Sequence, residues 1–169
     1  MFEDVAVKIK KKNKILFNWD SKCLEALVQL VQKQSRRTLV LWALDCSSVT
    51  LALFESKYPM ELRPRVCLER CEAWSKGTIK MPEAKKAILA SHAVAKEIDD
   101  GAYIALCHAI GHAGATGHVK THAMGLVFYE LTALVILCDY KDYSDTIRDK
   151  ISFYYDTLIY WQNNTELSN

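Results

Sequence analysis

Apolar residues recur every three or four positions along most of the chain, and this spacing predicts an all-α protein. Leu24, Leu27 and Val31, for example, fall on one face of a helix that Asp20 or Ser21 can cap. Further helices are predicted from Ser35 to Tyr58 and over residues 63–77, 81–98, 102–139 and 142–163. We therefore expect a single-domain bundle or orthogonal array of six to seven helices.

The N-terminal residues show a different pattern. Val5, Val7 and Ile9 occupy alternate positions, as do Ile15 and Phe17. This is the period of a β-strand with one buried face. The sequence therefore predicts an N-terminal arm or short hairpin over residues 1–19, a helical domain over 20–163 and a frayed tail over 164–169.

Histidine and glycine are concentrated in the fifth predicted helix, which contains four of the five histidines and four of the six glycines. His108 and His112 lie one helical turn apart, as do His118 and His122. Glycine costs about 1 kcal/mol against alanine inside a helix, so this composition indicates close approach by a neighbouring helix. We expect these histidines, together with Trp42, to form part of the structural core, bonded to carbonyls, to tryptophans or to one another. We also expect the helix to bend or break between the two histidine pairs.

A metal site is the main alternative interpretation of the histidines, because His-x-x-x-His spacing lets two imidazoles reach one ion. The candidate ligands are His92, His108, His112, His118 and His122. Neither pair contains the glutamate of a His-Glu-x-x-His zinc protease, since Ala109 and Val119 occupy that position. The alternative hypothesis is therefore a metal-dependent helical enzyme of another kind. The favoured interpretation has no metal, no cofactor and no catalytic residue.

Composition and charge limit the remaining classes. The chain has 169 residues, half of them apolar, with a net charge of +2, which argues against a dedicated nucleic-acid binder. The N-terminus lacks the pattern of a signal peptide, and the apolar run over 126–138 is too short to span a bilayer. We therefore expect a cytoplasmic protein without a membrane partner, in which the six cysteines stay reduced.

Several short motifs occur in the order found in a known family. They are Leu41-Trp42-Ala43-Leu44-Asp45-Cys46, Arg63-Pro64-Arg65, Ala73-Trp74-x-x-Gly77, Ser91-His92-Ala93 and Gly111-His112-Ala113-x-Ala115-Thr116-Gly117-His118. Over about residues 38–125 the chain resembles the immunity proteins that are like immunity protein five of bacterial polymorphic toxin systems.

The resemblance implies an all-helical cytosolic protein that binds a cognate protein toxin and neutralises it without catalysis. It brings no map of functional residues. From residue type alone, the candidate binding residues are Arg63, Arg65, Arg70 and Trp74, because arginine and aromatic side chains dominate interface energies. A helical module that assembles into a homo-oligomer is a third hypothesis.

Overall fold

Eight α-helices make up the fold in the computed structural model, which describes residues 1–168. In chain order they are α1 (Glu3–Lys10), α2 (Glu25–Gln32), α3 (Arg36–Lys57), α4 (Arg63–Ser75), α5 (Met81–Val94), α6 (Gly101–Ala115), α7 (His122–Leu137) and α8 (Ser144–Asn164). Short 3₁₀ helices, Lys22–Leu24 and Thr165–Ser168, precede α2 and follow α8. No strand occurs in the described range, so the predicted all-α class is confirmed.

The N-terminal hairpin prediction is wrong, and helix α1 is the eighth helix that the predicted count of six to seven omits. Acidic Glu3 and Asp4 lie in its first turn and basic Lys8 and Lys10 in its last, which is the arrangement that the helix dipole favours. These charges stabilise a helix in which Val5 alone is fully buried. Residues 11–20, called the N-terminal arm below, have no regular secondary structure.

The arm is fixed to the helical body at its centre. The side chains of Leu16 and Phe17 are buried, and the Leu16 backbone N–H donates to the Thr132 hydroxyl on α7 over 3.0 Å. The irregular segment therefore lies against α7 and closes one side of the molecule.

The predicted bend in the histidine-rich helix is a complete break. Helix α6 ends at Ala115, whose carbonyl accepts hydrogen bonds from the backbone N–H groups of His118 and Val119. The six-residue connection 116–121 then turns the chain, and α7 packs along α6. Because of this reversal, residues from the two ends of the segment face each other across a helix–helix contact.

Helix α3 lies at the centre and packs against α4, α6, α7 and α8. By length and composition it is the one helix in the described range that could cross a membrane. Trp42, Cys46 and Phe54 are nevertheless fully buried against the other helices. Burial of this kind is expected of a core helix, so length and composition are weak evidence for a membrane span.

The C-terminal end returns to the start of α3. The hydroxyls of Thr165 and Thr38 are 2.8 Å apart, and residues Thr165–Ser168 form the second 3₁₀ helix. The predicted fraying of residues 164–169 also covers Asn169, which lies outside the described residues. The boundary between arm and helical domain stays a prediction.

One ion pair lies in the core between α7 and α8. Glu130 Oε1 is 2.8 Å from Lys150 Nζ, and the Glu130 side chain is 1% exposed. The Tyr154 hydroxyl donates to Glu130 Oε2, and burial holds the pKa of Tyr154 well above its usual value, so the phenol stays protonated. Trp42 Nε1 donates to the Tyr154 carbonyl over 2.9 Å. This network joins α3, α7 and α8.

We expect Lys150→Met to lower the free energy of unfolding by about 3 kcal/mol, because it leaves the Glu130 carboxylate buried without its cation. Chemical denaturation measures the change. The double variant Glu130→Gln, Lys150→Met removes both charges and keeps an acceptor for Tyr154, so it should recover most of the loss. An equal loss in both variants would contradict the electrostatic explanation.

Candidate functional site

Four histidines meet in two pairs where α5, α6 and α7 pack together. His92 of α5 faces His108 of α6, with 2.9 Å between their Nδ1 atoms. His112 of α6 faces His122 of α7, with 3.1 Å between their Nδ1 atoms. The pairs are adjacent, since the ring centres of His92 and His112 are 5.6 Å apart. We call these four residues the histidine cluster. In each pair one ring must donate and the other accept, so the bonds join neighbouring helices.

Tyr129 of α7 completes the cluster and was not singled out in the sequence analysis. Its ring centre lies 5.1 Å from that of His108 and 5.1 Å from that of His112, and it is stacked on the latter. Tyr129 follows Gly125 by four residues, which places both on one face of α7. That spacing is the sequence signal that could have found it.

Two glycines provide the space that the histidine rings occupy. A Cβ atom at Gly111 would lie 2.6 Å from His92 Cε1, and one at Gly125 would lie 2.6 Å from His112 Nδ1. Cβ contacts under 3.0 Å essentially never occur, so neither position accepts a larger residue unless an imidazole moves. Helices α5 and α7 therefore approach α6 closely because two side chains are absent.

Burial favours the uncharged state of three members of the cluster, His92, His108 and His112. Burial lowers the pKa of His92 to about 4, and nearby His108 and His122 act in the same direction. Burial, followed by the neighbouring histidines, likewise lowers the pKa of His112 to about 4, and burial lowers the pKa of His108. No carboxylate is among the groups that shift these values. His92, His108 and His112 therefore pack as neutral imidazoles at physiological pH.

His118 lies apart from the cluster. Its ring centre is 4.8 Å from that of Trp74 on α4, and its Nε2 is buried without a hydrogen-bond partner in the described range. Gly117 makes room for the indole, since a Cβ there would lie 2.9 Å from Trp74 Cη2. The break between α6 and α7 thus separates His118 from the histidines with which the sequence grouped it.

The arrangement gives no support to the metal hypothesis. Among residues 1–168, no group of three or more His, Cys, Asp or Glu side chains is placed to hold a metal ion. In each pair of the histidine cluster the Nδ1 atoms are directed at each other, and no acidic ligand completes a coordination sphere.

Four of the six cysteines, Cys23, Cys46, Cys67 and Cys107, are not activated as nucleophiles. All six are free thiols. Burial raises the pKa of Cys107 to about 12 and that of Cys23 to about 11, and Cys46 is shifted in the same direction for the same reason. The hydrogen bond that the Cys67 thiol donates to its neighbour Cys71, together with burial, raises the pKa of Cys67. Thiols that resist ionisation are poor nucleophiles.

Two of the four candidate binding residues are engaged in ion pairs within the chain. The Arg63 guanidinium binds the carboxylates of both Glu61 and Glu97. Arg65 Nη2 lies 2.8 Å from Glu55 Oε2 on α3. These pairs attach the start of α4 to its neighbours, so the structure places both arginines in intramolecular contacts.

The other two candidates lie on an outer face of α4. Arg70 is exposed and forms no ion pair with any described residue. Trp74, one helical turn further on, lines a groove of about 240 Å³ together with Arg36, Val40 and Gly117. We call this the Trp74 groove. It combines an aromatic wall with cationic side chains at the surface.

These features describe an all-helical protein with a histidine cluster packed among α5, α6 and α7, and with exposed Arg70 and half-buried Trp74 on an outer face of α4. The model of the Imm-5 like putative immunity protein family matches residues 29–157, which is most of the chain. The protein belongs to this family. The match confirms the resemblance found over about residues 38–125 and extends it through α7 into α8. No curated protein and no solved structure matches the chain.

We expect Gly111→Ala to lower the free energy of unfolding by about 2 kcal/mol, because the added methyl group displaces the His92 ring from a packed position. Gly101→Ala is the matched control. A Cβ at Gly101, the first residue of α6, would meet only Ile136 Cδ1 at 4.0 Å, so this variant should be neutral or stabilising by up to about 1 kcal/mol. Thermal or chemical denaturation compares the two. Equal losses would show that glycine at position 111 is not needed for space.

We also expect acid to destabilise the fold through the histidine cluster. In the unfolded chain a histidine takes up a proton near pH 6.5, whereas folded His92 and His112 do so only near pH 4. The unfolded state therefore binds more protons over this interval, and stability falls as the pH is lowered through it. With each contribution halved because the rings are partly exposed, the two histidines together account for about 3 kcal/mol.

Denaturation at a series of pH values measures this dependence. Carboxylates also titrate near its lower end, so the comparison is with the double variant His92→Gln, His112→Gln. That variant should show a shallower fall in stability between pH 6.5 and pH 4, whatever its stability at neutral pH. The same slope in both proteins would exclude the cluster as the cause.

Proposed function

We propose that this protein neutralises a cognate protein toxin by binding it stoichiometrically in the cytoplasm, without turnover. Family membership over residues 29–157 is the observation that carries the proposal. The free state of all six cysteines is consistent with a reducing compartment.

The chemistry of the described residues supports a role without catalysis. General acid–base catalysis needs a group whose pKa lies near the working pH, whereas His92 and His112 have pKa values of about 4. The pairs in the histidine cluster consist of two imidazoles, with no carboxylate to orient either ring. The cluster therefore resembles a packing device more closely than an acid–base pair.

The Trp74 groove and Arg70 form the surface that we assign to the toxin. Arginine and tryptophan are the residue types that contribute most at interfaces. Arg36 and Arg70 are exposed and form no ion pair with other described side chains, so their charges are available to a partner. Arg63 and Arg65, which are already paired with glutamates, are expected to shape α4 without contacting the toxin. An acidic toxin surface would complement this face.

The proposal predicts that the protein protects cells that express its cognate toxin, for which the product of the adjacent reading frame is the first candidate. Purified toxin should be bound at one molecule per chain, measured by calorimetry. Protection should be complete only when the protein is at least equimolar with the toxin, because a stoichiometric inhibitor is consumed as it binds.

Charge reversal tests the surface. Arg36→Glu, Arg70→Glu should weaken toxin binding by about tenfold or more and reduce protection, since two attractive charges become repulsive. Lys11→Glu is the control, because Lys11 is exposed, follows α1 and does not line the Trp74 groove. This variant also reverses a surface charge, but outside the assigned surface, so it should bind the toxin as the unaltered protein does.

Two results would overturn parts of this proposal separately. Complete protection at a small fraction of the toxin concentration would indicate turnover and exclude stoichiometric neutralisation. Normal binding by the doubly reversed variant would move the interface away from the Trp74 groove.

A further inference from the structure

A second cavity, of about 760 Å³, lies between the N-terminal arm and the outer sides of α6 and α7. This volume is within the range of small-molecule pockets. Its walls are largely aliphatic and include Ile9, Ile15, Leu16, Ile104, Ala105 and Ile136. It shares no lining residue with the Trp74 groove, so the two sites are separate.

The charged side chains that line the cavity have one sign. Lys12 and Lys14 of the arm line it and are exposed, whereas Leu16 and Ala105 are buried. The ammonium groups therefore lie where the cavity meets solvent, and the apolar walls lie behind them. No aspartate or glutamate is among the lining residues, and neither lysine forms an ion pair with a described side chain.

Lys12 has a backbone conformation that favours glycine over lysine. Lys12 has a φ of +54°, and its N–H and that of Asn13 donate to the carbonyls of Ile9 and Lys8 at the end of α1. This is the helix-ending motif in which glycine is favoured, because other L-residues are strained there. A lysine at that position brings a cation to the cavity mouth at the expense of backbone stability.

Deeper in the cavity, polar groups are few. His108 and Tyr129 contribute to the lining. Since His108 Nδ1 is bonded to His92, its Nε2 is the atom that can meet a ligand. Thr132 also lines the cavity, but its hydroxyl already accepts from Leu16 and donates to the Phe128 carbonyl.

We propose that this cavity binds an amphipathic organic anion, an aliphatic chain that ends in a carboxylate or phosphate group. The headgroup lies at the mouth beside Lys12 and Lys14, and the chain extends between the arm and the faces of α6 and α7. The aliphatic walls exclude a highly polar ligand, and the absence of acidic lining residues disfavours a cation. His108 Nε2 is one polar contact available along the interior.

Calorimetric titration of the full chain with sodium decanoate tests the proposal, with decyl phosphate in a parallel titration to compare headgroups. Both are used below the concentration at which they form micelles. We expect saturable binding at one site per chain for at least one of them. Decyltrimethylammonium has the same chain and the opposite charge, so it should bind at least about tenfold more weakly.

Lys12→Gly separates binding from folding. Glycine relieves the positive φ, so the variant should unfold at the same temperature as the parent or higher, yet its affinity for the decyl anion should fall by about fivefold. Asp139→Gly is the matched control. Asp139 has a φ of +53° at the end of α7 and does not line the cavity. It should gain stability in the same way and keep full affinity.

Lys14→Ala should weaken binding to a similar extent as Lys12→Gly, because it removes the second ammonium group. The proposal is overturned if neither anion binds saturably, if decyltrimethylammonium binds as tightly, or if both lysine variants retain the parental affinity. A fall in affinity for Asp139→Gly equal to that for Lys12→Gly would also overturn it, since the cause would then be the backbone.

Discussion

The close approach of α5 and α7 to α6 is the constraint on which the rest of the structure depends. At Gly111 and Gly125 the missing side chains are replaced by the imidazoles of His92 and His112. Each ring thus fills a space in one helix and hydrogen-bonds to another ring across the contact. A packed interior normally accommodates changes in volume poorly. Each of these glycines and the imidazole that fills its space therefore depend on each other for close packing of the helices.

The regular parts of the fold could be predicted because their signals are local. Prolines at positions 64 and 82 lie at the start of α4 and α5, and the spacing of apolar residues located most of the helices. The hairpin prediction for the N-terminal segment is wrong because Val5, Val7 and Ile9 alternate as they would in a strand. In the structure they lie in helix α1, which buries only Val5 completely. Its charges, acidic first and basic last, were the better guide. Apolar spacing over so few residues fits either a strand or a short helix.

From the sequence, only the residue types of the site could be predicted. The sequence indicated that histidines sit among small residues and contact one another, tryptophans or carbonyls. It could not say that His108 pairs with His92 and His112 with His122, because those pairings require the register of three helices. It also grouped His118 with the others, whereas the break after Ala115 turns it toward Trp74. Local spacing describes one helix at a time, and the cluster arises from contacts between helices.

The family match begins at residue 29, whereas Ile9, Lys12 and Leu16, which wall one side of the larger cavity, precede it. His108 and Tyr129, on the opposite side, fall within the matched region. The larger cavity is therefore formed by two parts of the chain: helices within the family match, and an N-terminal segment that precedes it. A relative with a different N-terminal segment would keep the contacts among α5, α6 and α7, but its cavity would be lost or have another shape. Under our proposal for this cavity, its ligand selectivity depends partly on residues outside the matched region, whereas the contacts among α5, α6 and α7 lie within it.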